Sequence, residues 1–129
     1  MESPHKSRSG LVRIWRAFFY SLEGFAAAVK HEHAFRQELI LCVVLLPFAV
    51  FMPMTAVERV LLIGSLLLVL VVELLNSSIE AVVDRVSLDN HDLSKRAKDL
   101  GSAAVFLTLC IAIFTWWLIL GHAALGLMR

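Results

Sequence analysis

Glu73-Leu74-Leu75-Asn76-Ser77-Ser78-Ile79-Glu80-Ala81-Val82-Val83-Asp84 is the stretch that decides the fold, and it follows an uncharged apolar run over 60–72. Its polar residues are Glu73, Asn76, Glu80 and Asp84, called here the acidic stripe. Their spacing of three, four and four residues places them on one face of a helix. A carboxylate in a lipid-facing helix costs roughly 2.5–3.5 kcal/mol on insertion scales. The stripe therefore predicts a polar site built into a membrane helix, near the membrane surface.

The composition indicates an all-α membrane protein. The chain has 129 residues, of which 59% are hydrophobic, and its mean hydropathy is +0.78. We predict three transmembrane helices at about 36–54, 58–84 and 99–121, each close to the ~20 residues that cross a bilayer. We expect a single integral-membrane domain over 1–129. Three buried helices of a soluble protein are the alternative, but so short a chain could not cover them with polar surface.

An amphipathic helix is predicted at about 11–30, before the first span. Its apolar residues recur at a helical period, at Leu11, Ile14, Trp15, Phe18, Leu22, Phe25 and Val29. This pattern is typical of a helix that lies in the membrane interface, and a simple membrane anchor fits it as well. Trp116 and Trp117, near the end of the third span, are typical of an interfacial aromatic belt.

The basic residues predict the orientation, because Lys and Arg are in excess on the cytoplasmic side. Those before the first span are Lys6, Arg8, Arg13, Arg16, Lys30 and Arg36, and those between the second and third spans are Arg85, Lys95, Arg96 and Lys98. Only Arg59 lies between the first two spans, and only Arg129 follows the third. We therefore place the N-terminus and the second loop in the cytoplasm and the C-terminus on the opposite side.

Four polar clusters on the predicted cytoplasmic side carry the candidate chemistry. They are 31–38, the acidic stripe, 89–92 and 96–99. The sequence contains no GxxxxGK[ST] motif, the phosphate-binding loop of many soluble nucleotide-binding proteins. Magnesium needs only one or two carboxylates besides phosphate oxygens and water, which Glu32 and Glu80 could supply, while Lys98 could balance phosphate charge. Glu32 with Arg36 also fits an ordinary surface pair. Glu73 lies deeper than the rest of the stripe and is suited to accept a proton as a general base.

Three motifs in order make a family resemblance visible. They are 34–38 (Ala-Phe-Arg-Gln-Glu), 73–85, which contains the acidic stripe, and 96–105 (Arg-Ala-Lys-Asp-Leu-Gly-Ser-Ala-Ala-Val). From about Leu11 to His122 the chain closely resembles the prokaryotic integral-membrane diacylglycerol kinases of Gram-negative type. The resemblance implies a homotrimer with sites shared between subunits, in the bacterial inner membrane, using ATP and Mg²⁺.

The resemblance also implies roles for individual residues. Glu73 is implied as the catalytic base, Glu32 and Glu80 as the metal-binding pair, and Asn76 and Asp84 as supporting residues. The implied ATP-binding residues are Arg13, Tyr20, Glu32, Glu80, Asp89, Asn90, His91, Lys98 and Asp99. The implied lipid-binding residues are Arg13, Ala34, Phe35, Arg36, Gln37, Glu38, Glu73, Ser102 and Trp116.

Three functions remain open at this point. The first is ATP- and Mg²⁺-dependent phosphorylation of 1,2-diacylglycerol to phosphatidic acid at the cytoplasmic face. The second is an undecaprenol kinase of the same fold, although the runs 34–38 and 101–104 resemble the diacylglycerol type. The third is a non-catalytic small membrane subunit whose stripe lines a polar path. The Glu32 and Lys98–Asp99 clusters favour phosphoryl transfer.

Overall fold

All the regular secondary structure is α-helical in the part that the computed structural model describes, residues 10–127. Within that part there are four helices: α1 (Gly10–His31), α2 (His33–Phe51), α3 (Ala56–Val86) and α4 (Asp92–Leu127). Of these, α2, α3 and α4 are long and apolar enough to cross a membrane. The predicted all-α fold is confirmed, with three helices long and apolar enough to cross a membrane. Lys6, Arg8 and Arg129, which entered the orientation prediction, lie outside the described residues.

The chain divides into two compact units between Glu32 and His33. The first contains α1, whose aromatic side chains contact one another: the ring centroids of Trp15 and Phe19 are 5.2 Å apart and nearly perpendicular. Leu11, Ile14 and Trp15 all expose more than half of their surface. The helix matches the predicted bounds of 11–30 to within one residue at each end. Its placement in a membrane interface stays a prediction.

The second unit contains α2, α3 and α4, and α2 ends earlier than predicted. The first span was expected to reach residue 54, but the helix ends at Phe51. The physical reason is the start of α3, where Thr55 Oγ1 accepts a hydrogen bond from the Glu58 backbone N at 3.2 Å and Glu58 Oε2 accepts one from the Thr55 N at 2.9 Å. This reciprocal capping box fixes an extended residue at Thr55 and so separates the two helices.

Arg59 closes the end of α2 from the first turn of α3. Its guanidinium donates to the carbonyl oxygens of Ala49 at 2.7 Å and Met52 at 3.3 Å, and also to that of Val50. The last carbonyls of a helix have no partner within the helix. A cation at this end also interacts favourably with the helix dipole. The turn between α2 and α3 is therefore held by side chains of α3.

Trp116 of α4 lies inside the bundle, where it contacts α3. Ala49, Leu62, Leu66 and Trp116 form one buried cluster that joins the three long helices. The Trp116 indole Nε1 donates to the Leu62 carbonyl oxygen at 3.2 Å. Only 8% of Trp116 is exposed, against 75% of Trp117. The predicted aromatic belt is therefore wrong for Trp116, whose N–H is satisfied by α3 and not by the membrane interface.

The fourth helix starts seven residues before the predicted bound of 99 and continues beyond the predicted end at 121. His91 explains the early start, because its side chain and backbone both cap the helix. His91 Nδ1 accepts from the Leu93 N at 3.0 Å, and the His91 carbonyl oxygen accepts from the Lys95 N at 3.0 Å. The loop between α3 and α4 is consequently only five residues long, 87–91.

Candidate active site

The acidic stripe passes from the interior of the second unit to its surface. The buried residues of α3 share one face of the helix, and they are Leu62, Ser65, Leu66, Val69, Glu73 and Asn76. Glu73 is 4% exposed and Asn76 is 8% exposed, whereas Glu80 is half-buried and Asp84 is exposed. The apolar core residues and the buried polar residues therefore follow one another along the same face of α3. One carboxylate is thus enclosed by protein while another, three turns along the helix, can meet water.

Asn76 connects the buried part of the stripe to Glu80. Its Nδ2 donates to Glu80 Oε1 at 3.3 Å. The other amide atom, Oδ1, is buried and has no hydrogen-bond partner among the described residues. An unsatisfied buried carbonyl oxygen is uncommon in a folded protein. The orientation of the amide is nevertheless set, because the reverse orientation would place an oxygen against the Glu80 carboxylate.

Gly101 of α4 lies against this amide, and the sequence analysis gave it no role. A Cβ added at Gly101 would overlap Asn76 Oδ1 and would lie 3.2 Å from Asn76 Cγ. A side chain at residue 101 would therefore displace the Asn76 amide, and glycine leaves room for that amide between α3 and α4. The signal in the sequence is a glycine inside a helix, which is unfavourable relative to alanine unless packing needs it.

The first turns of α2 bring a second carboxylate to the stripe. Glu38 is half-buried and lies close enough to Glu73 for their charges to repel each other. Its Oε2 has no hydrogen bond within the described part of the chain. Phe35, one turn earlier, is 1% exposed.

The other predicted lipid-binding residues of this segment occupy several environments. Arg36 is half-buried, with its Nη2 2.7 Å from His33 Nδ1, and Ala34 and Gln37 are exposed. The segment 34–38 therefore presents both a buried anchor and accessible polar groups.

The loop between α3 and α4 forms an open cleft of about 350 Å³. Five of the predicted ATP-binding residues line it, together with Asp84, which was predicted to support the site; the five are Asp89, Asn90, His91, Lys98 and Asp99. The Lys98 Nζ lies 2.7 Å from Asp84 Oδ1, and each side chain exposes more than two fifths of its surface. Lys95 pairs with Asp99 at 2.6 Å. The cleft is thus a solvent-accessible group of cations, carboxylates and amides at the exposed end of the stripe.

An apolar groove of about 390 Å³ runs along the three long helices, away from the cleft. Glu38 is the only charged residue in its lining, and Trp116 and Leu120 lie in the lining as well. The remaining lining residues are Leu41, Cys42, Leu45, Leu66, Val69, Leu109, Ala112 and Ile113. Ser102, also predicted to bind lipid, is exposed on α4 and does not belong to this lining. The groove can accept an apolar chain with a polar group beside Glu38.

Arg13, Tyr20 and Glu32 belong to the first unit. Arg13 and Tyr20 are exposed and Glu32 is half-buried, and their predicted approach to the cleft and to Glu80 stays a prediction. Among the described residues no group of three or more His, Cys, Asp and Glu side chains is arranged to hold a metal ion. The donors still fit Mg²⁺, which takes one or two carboxylates and completes its shell with phosphate and water. Glu80, with Oε1 bonded to Asn76, is one such carboxylate.

Comparison with known proteins defines the class of protein. The sequence model of the family described as "Prokaryotic diacylglycerol kinase" matches residues 19–120. The Diacylglycerol kinase of Pseudomonas aeruginosa is 55% identical over 118 residues, which cover 92% of this chain and 96% of that protein. The Diacylglycerol kinase of Escherichia coli strain K12 is 47% identical over 112 residues, covering 87% of this chain and 92% of that protein. The Diacylglycerol kinase of Helicobacter pylori strain 26695 is 40% identical over 126 residues, which cover 98% of this chain and 94% of that protein. The chain belongs to the prokaryotic diacylglycerol kinase family, and the resemblance stated from its motifs is confirmed.

Proposed function

We propose that the protein transfers the γ-phosphoryl group of ATP to the primary hydroxyl of 1,2-diacylglycerol and so makes phosphatidic acid. The observation that carries this proposal is the continuity of the acidic stripe. It joins the buried Glu73, which lies one helical turn after Val69 of the groove lining, to the open cleft at Asp84 and Lys98. A reaction between a membrane lipid and a water-soluble nucleotide needs such a passage from the apolar interior to the solvent.

Glu73 is proposed as the general base. Its carboxylate would take the proton of the lipid hydroxyl as the hydroxyl oxygen attacks the γ-phosphorus and the bond to the β-phosphate oxygen breaks. Enclosure of Glu73 at 4% exposure keeps water from competing with the lipid for the phosphoryl group. Glu38, which lies near enough to interact with the Glu73 charge, is proposed to contact the lipid headgroup.

The cleft is proposed as the nucleotide site. Lys98 would balance phosphate charge as a point cation, with Asp89, Asn90, His91 and Asp99 around it. Arg13 and Tyr20 of the first unit are proposed to contact ATP, and Arg13 the lipid as well.

Glu80 and Glu32 are proposed as the carboxylate ligands of Mg²⁺. When bound, Mg²⁺ would offset the charge that the phosphate oxygens carry during transfer. The roles that the chain itself performs are to present the two carboxylates and to hold Glu80 in place through Asn76. Asp84 is proposed to support the site by fixing Lys98.

The lipid is proposed to lie with its acyl chains in the apolar groove, against Trp116, and its headgroup near residues 34–38 and Ser102. The family and the three described helices that are long and apolar enough to cross a membrane support a membrane protein. We place it in the bacterial inner membrane, with the N-terminus and the loop 87–91 in the cytoplasm and the C-terminus in the periplasm. The amphipathic α1 would lie in the interface. A homotrimer with shared sites is proposed because one small bundle cannot enclose nucleotide and lipid from all sides.

A competition between lipids tests this function. Purified protein in mixed micelles is given ATP labelled on the γ-phosphate, Mg²⁺, and diacylglycerol and undecaprenol at equal mole fraction. The proposal predicts label in phosphatidic acid. Label only in undecaprenyl phosphate would assign the protein to polyprenol phosphorylation, and no labelled lipid would favour a non-catalytic membrane subunit.

A further inference from the structure

Asn76 holds its amide in a single orientation between two helices. On one side its Nδ2 donates to Glu80 Oε1 at 3.3 Å. On the other side its buried Oδ1 faces the backbone of α4 at Gly101. Oδ1 has no conventional hydrogen bond among the described residues, and it occupies space that a side chain at residue 101 would need.

The lack of a side chain at residue 101 decides whether that orientation can exist. A Cβ there would overlap Oδ1 and would lie within 3.2 Å of Cγ, but 3.8 Å from Asn76 Cβ, which is ordinary van der Waals contact. The obstructed atoms are thus the far end of a side chain and not backbone. An added methyl group would be accommodated by rotation of the Asn76 amide, and that rotation would break the bond to Glu80.

We propose that Gly101 is a positioning residue: by leaving room for the Asn76 amide, it keeps that amide hydrogen-bonded to Glu80. The proposal rests on the proposed function in one respect, since it takes Glu80 as a ligand of Mg²⁺. A partner that orients a metal ligand typically changes metal affinity or activity by about 10- to 100-fold when it is lost. Gly101 would exert this effect without touching metal, nucleotide or lipid.

Nuclear magnetic resonance reports the amide directly. Asn76 and Asn90 are the only asparagines in the sequence, so full-length protein labelled with ¹⁵N-asparagine gives two pairs of side-chain amide resonances. The pair absent from Asn76→Ala belongs to Asn76. We expect Gly101→Ala and Glu80→Gln each to shift the Asn76 pair and to leave the Asn90 pair in place. Gly64→Ala is the matched control, because nothing lies within 4 Å of a Cβ at that position, and it should move neither pair.

Kinetics test the consequence for the reaction. Gly101→Ala should lower kcat about 10- to 100-fold and raise the Mg²⁺ concentration for half-maximal rate, while Gly64→Ala keeps both values. The double variant Gly101→Ala/Asn76→Ala should be as active as Asn76→Ala alone, because Asn76→Ala removes the amide atoms that an alanine methyl group at residue 101 would displace. If Gly101→Ala does not fold, the same double variant should fold.

Three results would overturn the proposal. The first is that the Asn76 amide resonances of Gly101→Ala stay where they are in the wild type. The second is that the double variant is less active than Asn76→Ala by the same factor by which Gly101→Ala lowers the activity of the wild type. The third is that the double variant does not fold. A wild-type protein that phosphorylates no diacylglycerol would instead overturn the proposed function. The amide resonances would still decide the role of Gly101 in that case.

Discussion

The indole Nε1 of Trp116 lies 3.2 Å from Ser65 Oγ, so that two residues 51 positions apart in sequence meet inside the bundle. Ser65 Oγ in turn donates to the Leu62 carbonyl oxygen at 2.9 Å. Trp116 and Ser65 are both buried, and their contact joins α4 to α3 beside the apolar groove, whose lining includes Trp116. The groove therefore has a fixed wall on the side where we place the lipid chains.

Replacement of Trp116 by phenylalanine should destabilise the protein. The variant loses the donor to Ser65 Oγ and to the Leu62 carbonyl, and buried hydrogen bonds contribute about 0.5–1.5 kcal/mol each in net terms. We expect the free energy of unfolding to fall by about 1 kcal/mol, measured by denaturation in detergent. Trp117→Phe is the matched control, because Trp117 is 75% exposed. Equal losses in the two variants would contradict the assigned contact.

Removal of the Lys98 ammonium should weaken ATP binding. Lys98 lines the cleft and pairs with Asp84, and exposed ion pairs contribute little to stability. Lys98→Ala should therefore raise the KM for ATP with little change in thermal stability. Arg96→Ala is the control, because Arg96 is an exposed cation of the same helical turn that does not belong to the lining of the cleft. An equal rise in KM for both variants would show that only overall charge matters.

The metal assignment predicts a changed Mg²⁺ requirement. Glu80→Gln and Glu32→Gln each remove an anionic ligand from a site with few of them. Both should raise the Mg²⁺ concentration for half-maximal activity, measured at saturating ATP. Glu23→Gln, an exposed carboxylate of α1, should leave that concentration unchanged. Unaltered magnesium dependence in both site variants would remove them from the metal site.

Shared sites predict complementation between two variants that are impaired for different reasons, assayed at an ATP concentration well below the raised KM of Lys98→Ala. Glu73→Gln subunits mixed with Lys98→Ala subunits, after dissociation and reassembly, should then be more active than either variant alone, because some interfaces would hold one intact composite site. Each variant reassembled alone is the control. Sites contained within a single chain would give no recovery at any mixing ratio.

The helices could be predicted from sequence because the signals lie within single segments. The charge-free runs located α2, α3 and α4, and the helical period of the acidic stripe placed Glu73 and Asn76 on the buried face of α3. The end of α2 was misplaced by three residues, since Pro53 and Thr55 lie in an apolar run and the cap depends on Glu58. The start of α4 was misplaced because His91 is a less usual N-cap residue.

Contacts between helices were harder to predict. Tryptophan near the end of a span is typical of the membrane interface, but Trp116 is buried because it contacts Ser65 on another helix. Gly101 was present in a recognised motif, yet its proximity to Asn76 depends on how closely α3 and α4 approach. The partnership of Glu32 with Glu80 stays a prediction, since they belong to different compact units.

The role of Glu73 as the base is the central claim, and the turnover of Glu73→Gln tests it most directly. An amide of the same size cannot accept the hydroxyl proton, and a general base typically contributes about 10²–10⁴-fold to the rate. The account predicts a fall in kcat of that size, with the KM for ATP and the thermal stability close to those of the wild type and of Glu23→Gln. A Glu73→Gln enzyme that makes phosphatidic acid at nearly the wild-type kcat would contradict it.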